Sequence, residues 1–233
     1  MNKTGKLFGI GVGPGDPELM TLKAARLVAQ VPVVAVPVSK VDSDSYALTI
    51  VAAHLQPEQT VLRLHFPMVQ DLAVRQAKRQ AAAAQIVAEL EAGRDVAFLT
   101  EGDPFLYSTF VYVLEHLPEA VPVEVVPGVS SIMAAAAESK RPLVMANQRL
   151  AVLSATFENI ANLRSVLADF DTVVLMKVYK VLDEVLDLLD ELGLTNGATL
   201  VERASHTEAR VIQDVRTLRQ HKPHYLSLMI VHK

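Results

Sequence analysis

Four short segments combine residue types and spacings that could do chemistry, and three of them carry glycine. The first reads Gly11-Val12-Gly13-Pro14-Gly15-Asp16-Pro17, directly after an apolar run and shortly before a helical pattern. Glycine at such a junction lets the backbone approach a ligand closely, so nucleotide-binding loops are the first comparison. A dinucleotide fingerprint needs a third glycine three residues after the second, where Asp16 stands, and an acidic residue closing the second strand, which ends at Val38. A phosphate loop needs Gly-Lys-Ser/Thr, which is missing, while Pro14 and Pro17 remove amide donors and Asp16 repels phosphate. The loop therefore suits a less anionic ligand, or is only a tight strand-to-helix turn.

The second segment is Leu99-Thr100-Glu101-Gly102-Asp103-Pro104-Phe105, again at the carboxyl end of a β-branched run, where open α/β sheets bind ligands. Glu101 and Asp103 can accept hydrogen bonds from a ribose or an amine and stabilise a nearby cation; alternatively Asp103 satisfies its own turn. The third, Pro127-Gly128-Val129-Ser130-Ser131, opens a helix with hydroxyls that cap it, bind ligand or do both. The fourth, Val174-Leu175-Met176-Lys177, ends a strand in a thioether and an ammonium, although a lone methionine there also reads as core. The seven histidines show no paired metal-ligand spacing, and His221 and His224 read as surface residues. No Gly-x-Ser-x-Gly elbow is present.

Alternating strand and helix patterns must position these turns. Strands are expected at 7–12, 33–38 and 95–100, with helices at 19–30, 46–55, 71–91 and 107–116, which predicts a mostly parallel N-terminal sheet with crossover helices. Pro118 and Pro122 bracket an expected boundary, giving an N-terminal α/β lobe over 1–120 and a C-terminal α/β lobe over 121–233. In the second lobe, strands are expected at 123–126, 150–154, 172–176, 199–202, 209–213 and 226–231, with helices at 130–139 and 181–192. Closely spaced late strands predict a mixed sheet.

Composition narrows the class. The 233 residues are 51% hydrophobic but only 5% aromatic, with no Trp, so the core is aliphatic, as suits an α/β protein. The absence of Cys excludes disulfides, thiolate metal sites and a cysteine nucleophile, and fits a reducing, cytoplasmic setting. No signal peptide is expected, and no apolar run approaches the ~20 residues that span a bilayer. A net charge of -4 gives no general attraction to nucleic acid, so an anionic ligand must meet locally grouped Lys and Arg.

Taken together, the glycine loop continuing into Pro17-Glu18-Leu19-Met20-Thr21-Leu22, the Glu-Gly-Asp-Pro loop, Pro-Gly-Val-Ser-Ser, the Leu-Met-Lys strand and Glu202-Arg203-Ala204 occur in one order and spacing. In this the sequence resembles the tetrapyrrole methylases, two-lobed S-adenosylmethionine-dependent enzymes, over nearly the whole chain. Phe66-Pro67-Met68, the segment from Phe105 to Phe110 and the ending Pro223-His224-Tyr225-Leu226-Ser227-Leu228 make it most similar to the precorrin-2 C-20-methyltransferases of cobalamin biosynthesis and their cobalt-factor II counterparts.

The resemblance implies a cofactor folded in a cleft between the lobes, touched by Glu101, Gly102, Asp103 and Leu106 from the first and by Ser130, Ser131, Met176 and Ala204 from the second. Position 101 is Glu where several relatives carry Gly. The loop around Pro14 would face the reacting centre or the macrocycle. Methyl transfer to an electron-rich ring carbon is an in-line displacement needing no protein-bound metal; Tyr107 and Glu101 are the candidates to take the proton left over. Arg63, Lys177 and Arg203 are the candidate donors to the substrate's acetate and propionate groups. The resemblance also implies a homodimer. Alternatives are methylation of a different ring position or of a non-tetrapyrrole acceptor, and, in another class, a non-catalytic cofactor-binding module.

Overall fold

The computed structural model describes residues 4–40 and 45–233, the side chains of 157–159 apart. The first three residues, on which the reading of the N-terminus partly rests, lie outside the described residues. The chain divides into two compact units, Met1–Ser130 and Ser131–Lys233.

The first unit is built on five parallel strands, β1 (Leu7–Gly11), β2 (Val33–Val38), β3 (Thr60–His65), β4 (Val96–Thr100) and β5 (Val123–Val126), in the order β3-β2-β4-β1-β5. Every residue of β1 and β4 is buried, because side chains of opposite parity are covered on opposite faces of the sheet. Phe8, Ile10, Val34, Val36, Ala97 and Leu99 pack with α1 (Leu22–Gln30) and α2 (Tyr46–Val51). Leu7, Val33, Ala35, Val96 and Phe98 pack with Ile86 and Leu90 of α3 (Leu72–Glu91) and with Phe110 and Val113 of α4 (Phe110–Leu114). Side-chain caps set the helix starts: Thr21 accepts from the Ala24 amide at 3.1 Å, and Asp71 from those of Ala73 and Val74 at 2.8 and 3.2 Å. The Thr21 cap explains why α1 begins at Leu22, with only a 3-10 turn at Pro17–Leu19, rather than at the expected Leu19.

The second unit is a mixed sheet of β6 (Leu150–Ser154), β7 (Thr172–Met176), β8 (Ala198–Glu202), β9 (Arg210–Ile212) and β10 (Ser227–His232), in the order β6-β7-β10-β8-β9. Only β6 and β7 are parallel; the other pairs are antiparallel. Its core joins Val173, Leu175, Leu200 and Met229 to Leu163 and Leu167 of α6 (Phe157–Asp169) and to Val185 and Leu189 of α7 (Leu182–Leu192). Gly193 ends α7 in the left-handed conformation at φ 67°, as a helix-stopping glycine should. The remaining helix is α5 (Ser131–Ser139).

The structure departs from the sequence reading elsewhere as well. The unit boundary falls at 130/131 instead of 120/121, because β5 pairs in parallel with β1 and so completes the first sheet. The edge strand β3 and helix α6 had no counterpart in the expected elements. The helix expected over 107–116 shortens to α4, because Tyr107 is left-handed at φ 52° and the Ser108 hydroxyl accepts from the Phe110 amide at 3.1 Å. Among the described residues, no helix is long and apolar enough to cross a membrane.

Candidate active site

The strand order of the first unit sets β1 between β4 and β5, so the loops leaving their carboxyl ends converge. They are joined through backbone. The Val12 amide donates to the Thr100 carbonyl at 3.0 Å, and the Gly102 amide to the Gly13 carbonyl at 2.8 Å. A Cβ on Gly11 would stand 2.6 Å from both the Gly102 oxygen and the Gly128 nitrogen, and one on Gly128 only 2.1 Å from the Gly102 oxygen. Only glycine lets the three loops meet this closely, which gives the glycines of three separate sequence segments one shared physical cause.

Asp103 fastens this junction. One carboxylate oxygen accepts from the Phe105 amide at 2.9 Å and closes the turn; the other accepts from the Gly128 amide at 3.1 Å and ties in the β5 loop. The turn expected of Gly-Asp-Pro is therefore present, and Asp103 also reaches across to a second loop. Glu101, beside it, is exposed to solvent yet has protein around most of its side, and this desolvation pushes its carboxyl up to about 7. Water still reaches the group, so it can gain and lose a proton near neutrality. Leu106 is half-buried and Tyr107 is 47% exposed. Ser130, half-buried, closes the first unit instead of opening the second. Pro14 is buried and offers a ligand little surface, while Asp16 caps the following 3-10 turn by accepting from the Glu18 amide at 2.9 Å.

In the second unit, β7 and β8 both run antiparallel to β10, so both end at the same sheet edge: Leu228 stands opposite Met176, and Ser227 opposite Glu202. This register brings Met176, Lys177, Arg203 and Ala204 to one edge. Met176 and Lys177 are half-buried, and burial lowers the pKa of the Lys177 ammonium. Arg203 forms an ion pair with Glu208, and its amide donates to the Leu226 carbonyl at 2.7 Å. Ala204 is buried, and the Ser205 amide donates to Glu138 of α5 at 3.2 Å. Ser131 is the first residue of α5. Of seven non-glycine residues with positive φ among those described, four (Tyr107, Lys177, Arg203 and Ser205) lie in these strand-end loops. Each such conformation costs about 1–2 kcal/mol, a concentration of strain typical of ligand-binding turns.

Arg63 stands apart from both groups: it is exposed, inside the edge strand β3 and opposite Val36, not at a strand end. Glu202, in the Glu-Arg-Ala motif, has a structural role that the motif alone does not show. It is 4% exposed, accepts from the His224 amide at 2.8 Å and from His221 Nε2 at 3.3 Å, and pairs with the Arg210 guanidinium at 3.4 Å. Its signal was available: a carboxylate closing the apolar run Ala-Thr-Leu-Val needs donors when buried. His221 and His224, expected at the surface, are both half-buried. Among the described residues, no group of three or more His, Asp or Glu is arranged to hold a metal ion.

Residues 6–219 match the family model described as Tetrapyrrole (Corrin/Porphyrin) Methylases. The chain belongs to the tetrapyrrole methylases. This tetrapyrrole methylase is 36% identical to a cobalt-precorrin-2 C(20)-methyltransferase of Salmonella typhimurium, over 98% of this chain and 97% of that one. It is 33% identical to a precorrin-2 C(20)-methyltransferase of a Sinorhizobium species, over 97% and 95% of the two chains. Among solved structures, the uroporphyrin-III C-methyl transferase of Thermus thermophilus, in complex with S-adenyl homocysteine, superposes with a TM-score of 0.69 at 26% identity, over 98% of this chain and 92% of that one.

Proposed function

We propose that this tetrapyrrole methylase transfers a methyl group from S-adenosylmethionine to C-20 of precorrin-2 or its cobalt-bearing counterpart, a step in building the corrin ring. The observation that carries this reading is the near-complete alignment with C(20)-methyltransferases of a chain whose strand-end loops meet closely through glycine at a backbone junction. S-adenosylmethionine supplies a methyl group on a sulfonium, open to in-line displacement by an electron-rich ring carbon.

The residues present fit such a donor. Its cationic centre suits the carboxylates of Glu101 and Asp103, and its bulk suits bare backbone at Gly102; Leu106 and Ser130 complete the contribution of the first unit. Ser131, Met176 and Ala204 are the proposed donor contacts of the second. Asp103, held by two amides, keeps the Gly102 turn and the Gly128 loop in register with each other. Glu101, titrating near 7, is poised to accept the proton that the ring carbon loses after it gains a methyl group, and Tyr107 lies in the same loop. Lys177 and Arg203 are the proposed donors to the substrate's carboxylates; Arg63, exposed on β3, is a weaker fit to that role.

Incubation with labelled S-adenosylmethionine and either precorrin-2 or cobalt-factor II tests the assignment. Label is expected in the ring at C-20 with one or both, and no product with either overturns it. The family resemblance also supports a homodimer in the cytoplasm. Light scattering checks the first, with a mass of twice the 25.4 kDa chain expected, and cell fractionation the second.

A further inference from the structure

Beyond the end of β8, the second unit has an open cavity of about 540 Å3. That volume falls in the range of small-molecule sites, but its lining is not the mostly apolar one such sites usually have. Five nitrogen-bearing side chains line it: Arg203, Arg210, His221, Lys222 and His224. Two carboxylates, Glu202 and Glu208, share the wall, and both are already engaged. Glu202 accepts from the His224 amide and His221 and pairs with Arg210, while Glu208 pairs with Arg203.

The donors outnumber these acceptors. A guanidinium carries five N–H groups in a planar fork, so Arg203 and Arg210 keep hydrogens beyond those given to Glu208 and Glu202. His224 Nδ1 accepts from the Leu226 amide at 3.1 Å, which leaves the proton of a neutral ring on Nε2. Burial first, and then the charge of Arg203, hold this imidazole below its ordinary pKa, so the neutral form prevails at neutral pH. Lys222 is exposed and takes part in no ion pair among the described residues. Forks, an ammonium and an imidazole N–H around one space are the chemistry that recognises a carboxylate.

Given the tetrapyrrole substrate proposed above, on which this assignment rests, we infer that the cavity takes an acetate or propionate arm of the macrocycle, with Arg210, Lys222 and His224 as donors. The amino-acid end of the methyl donor also carries a carboxylate, so the two sources must be separated. The test measures KM for precorrin-2 and, by calorimetry, Kd for S-adenosylmethionine, in the wild type, the Arg210→Ala/Lys222→Ala double variant and Lys222→Glu.

We expect the double variant to raise KM about ten-fold, the loss of charge-assisted contacts to a carboxylate, and Lys222→Glu to raise it further, while Kd for the donor stays within about two-fold. An unchanged KM in both variants overturns the inference. A weakened donor Kd with unchanged KM assigns the site to the donor and overturns it as well. Thermal melts monitor folding; should the double variant melt early, the exposed Lys222→Glu carries the test alone. Wild-type turnover is measured in the same series, so a failure of the proposed function is seen separately, as no methylation by any form.

Discussion

In the first unit, the loops after β1, β4 and β5 are fixed to one another through the main chain, with Gly11, Gly102 and Gly128 in contact and the Asp103 carboxylate accepting from two backbone amides. In the second, the loops after β7 and β8 present a thioether, an ammonium and a guanidinium, and the buried carboxylate of Glu202 ties the end of β8 to Arg210 of β9 and to His221 and His224 ahead of β10. A backbone junction is stiff, and it tolerates almost no change of residue. An edge built from side chains is the reverse: it tunes charge, and it accepts substitution in small steps. The two halves of a methylase that must hold a compact sulfonium and a polyanionic ring are thus built from different materials.

The sharpest way to break this contrast is Gly128→Ala. The added methyl would lie 2.1 Å from the Gly102 oxygen, with Gly11 backbone at 2.8 Å on the other side, so no side-chain rotation relieves it. Loss of about 3 kcal/mol of stability and a donor affinity about 100-fold weaker are expected, by urea unfolding and calorimetry respectively. A variant with normal values for both would show that the junction is looser than its geometry implies.

Asp103→Ala comes next. It removes a charged acceptor from two amides, a loss of about 1.5–3 kcal/mol, and should weaken donor binding about ten-fold, with Asp103→Asn recovering part of the effect. Equal affinity in all three forms would separate loop register from donor binding.

Among the described residues of the first unit, Glu101 is the group with a clearly raised pKa, and Glu101→Gln tests it. If its carboxylate accepts the proton, the wild-type rate should rise with pH through about 7, and the variant should lack that limb. Stability gives an independent reading with a fixed sign. The folded-state pKa is raised, so Glu101 favours folding below its unfolded pKa near 4.5, and that contribution is lost as pH rises through about 7. Glu101→Gln should therefore melt with the wild type at pH 4 and slightly above it at pH 8; the opposite order would contradict the desolvated placement.

The smallest effect is expected in the second unit. Ser205→Gly relieves a positive φ of 66° and should raise the urea midpoint by an equivalent of about 1 kcal/mol or less. A clear loss would mean that the serine side chain, not its backbone strain, matters at this edge.

The sequence made the elements with strong periodicity or punctuation legible. Strands β2, β5, β6 and β7 begin and end where their β-branched runs do, and Gly193 stops α7. Strand β3 escaped because it is an edge strand, with Arg63 and His65 breaking the apolar alternation. The turn at Tyr107 escaped because left-handed tyrosine has no compositional signal, and the boundary because two prolines suggested a break that the β1–β5 pairing overrides. At the site, the glycine turns and the Met176–Lys177 strand end stood out by residue type. What could not be read was the long-range part: Asp103 reaching Gly128, and Glu202 gathering His221 and His224, are pairings that exist only once the sheet of each unit has formed.

Placing β1 beside β4 and β5 has a consequence for how the protein is made. Lys6 bonds to Asp95, 89 residues downstream, and to Glu124, 118 residues downstream, so the amino-terminal strand emerges from the ribosome long before its partners exist. Until then Leu7 and Ile10, fully covered in the finished molecule, stay wetted and adhesive, and the nascent chain depends on slow, non-local closure for its first core. Pulse-labelled synthesis halted before residue 120 should yield aggregation-prone chains, and synthesis carried past 130 should yield a protease-resistant first half.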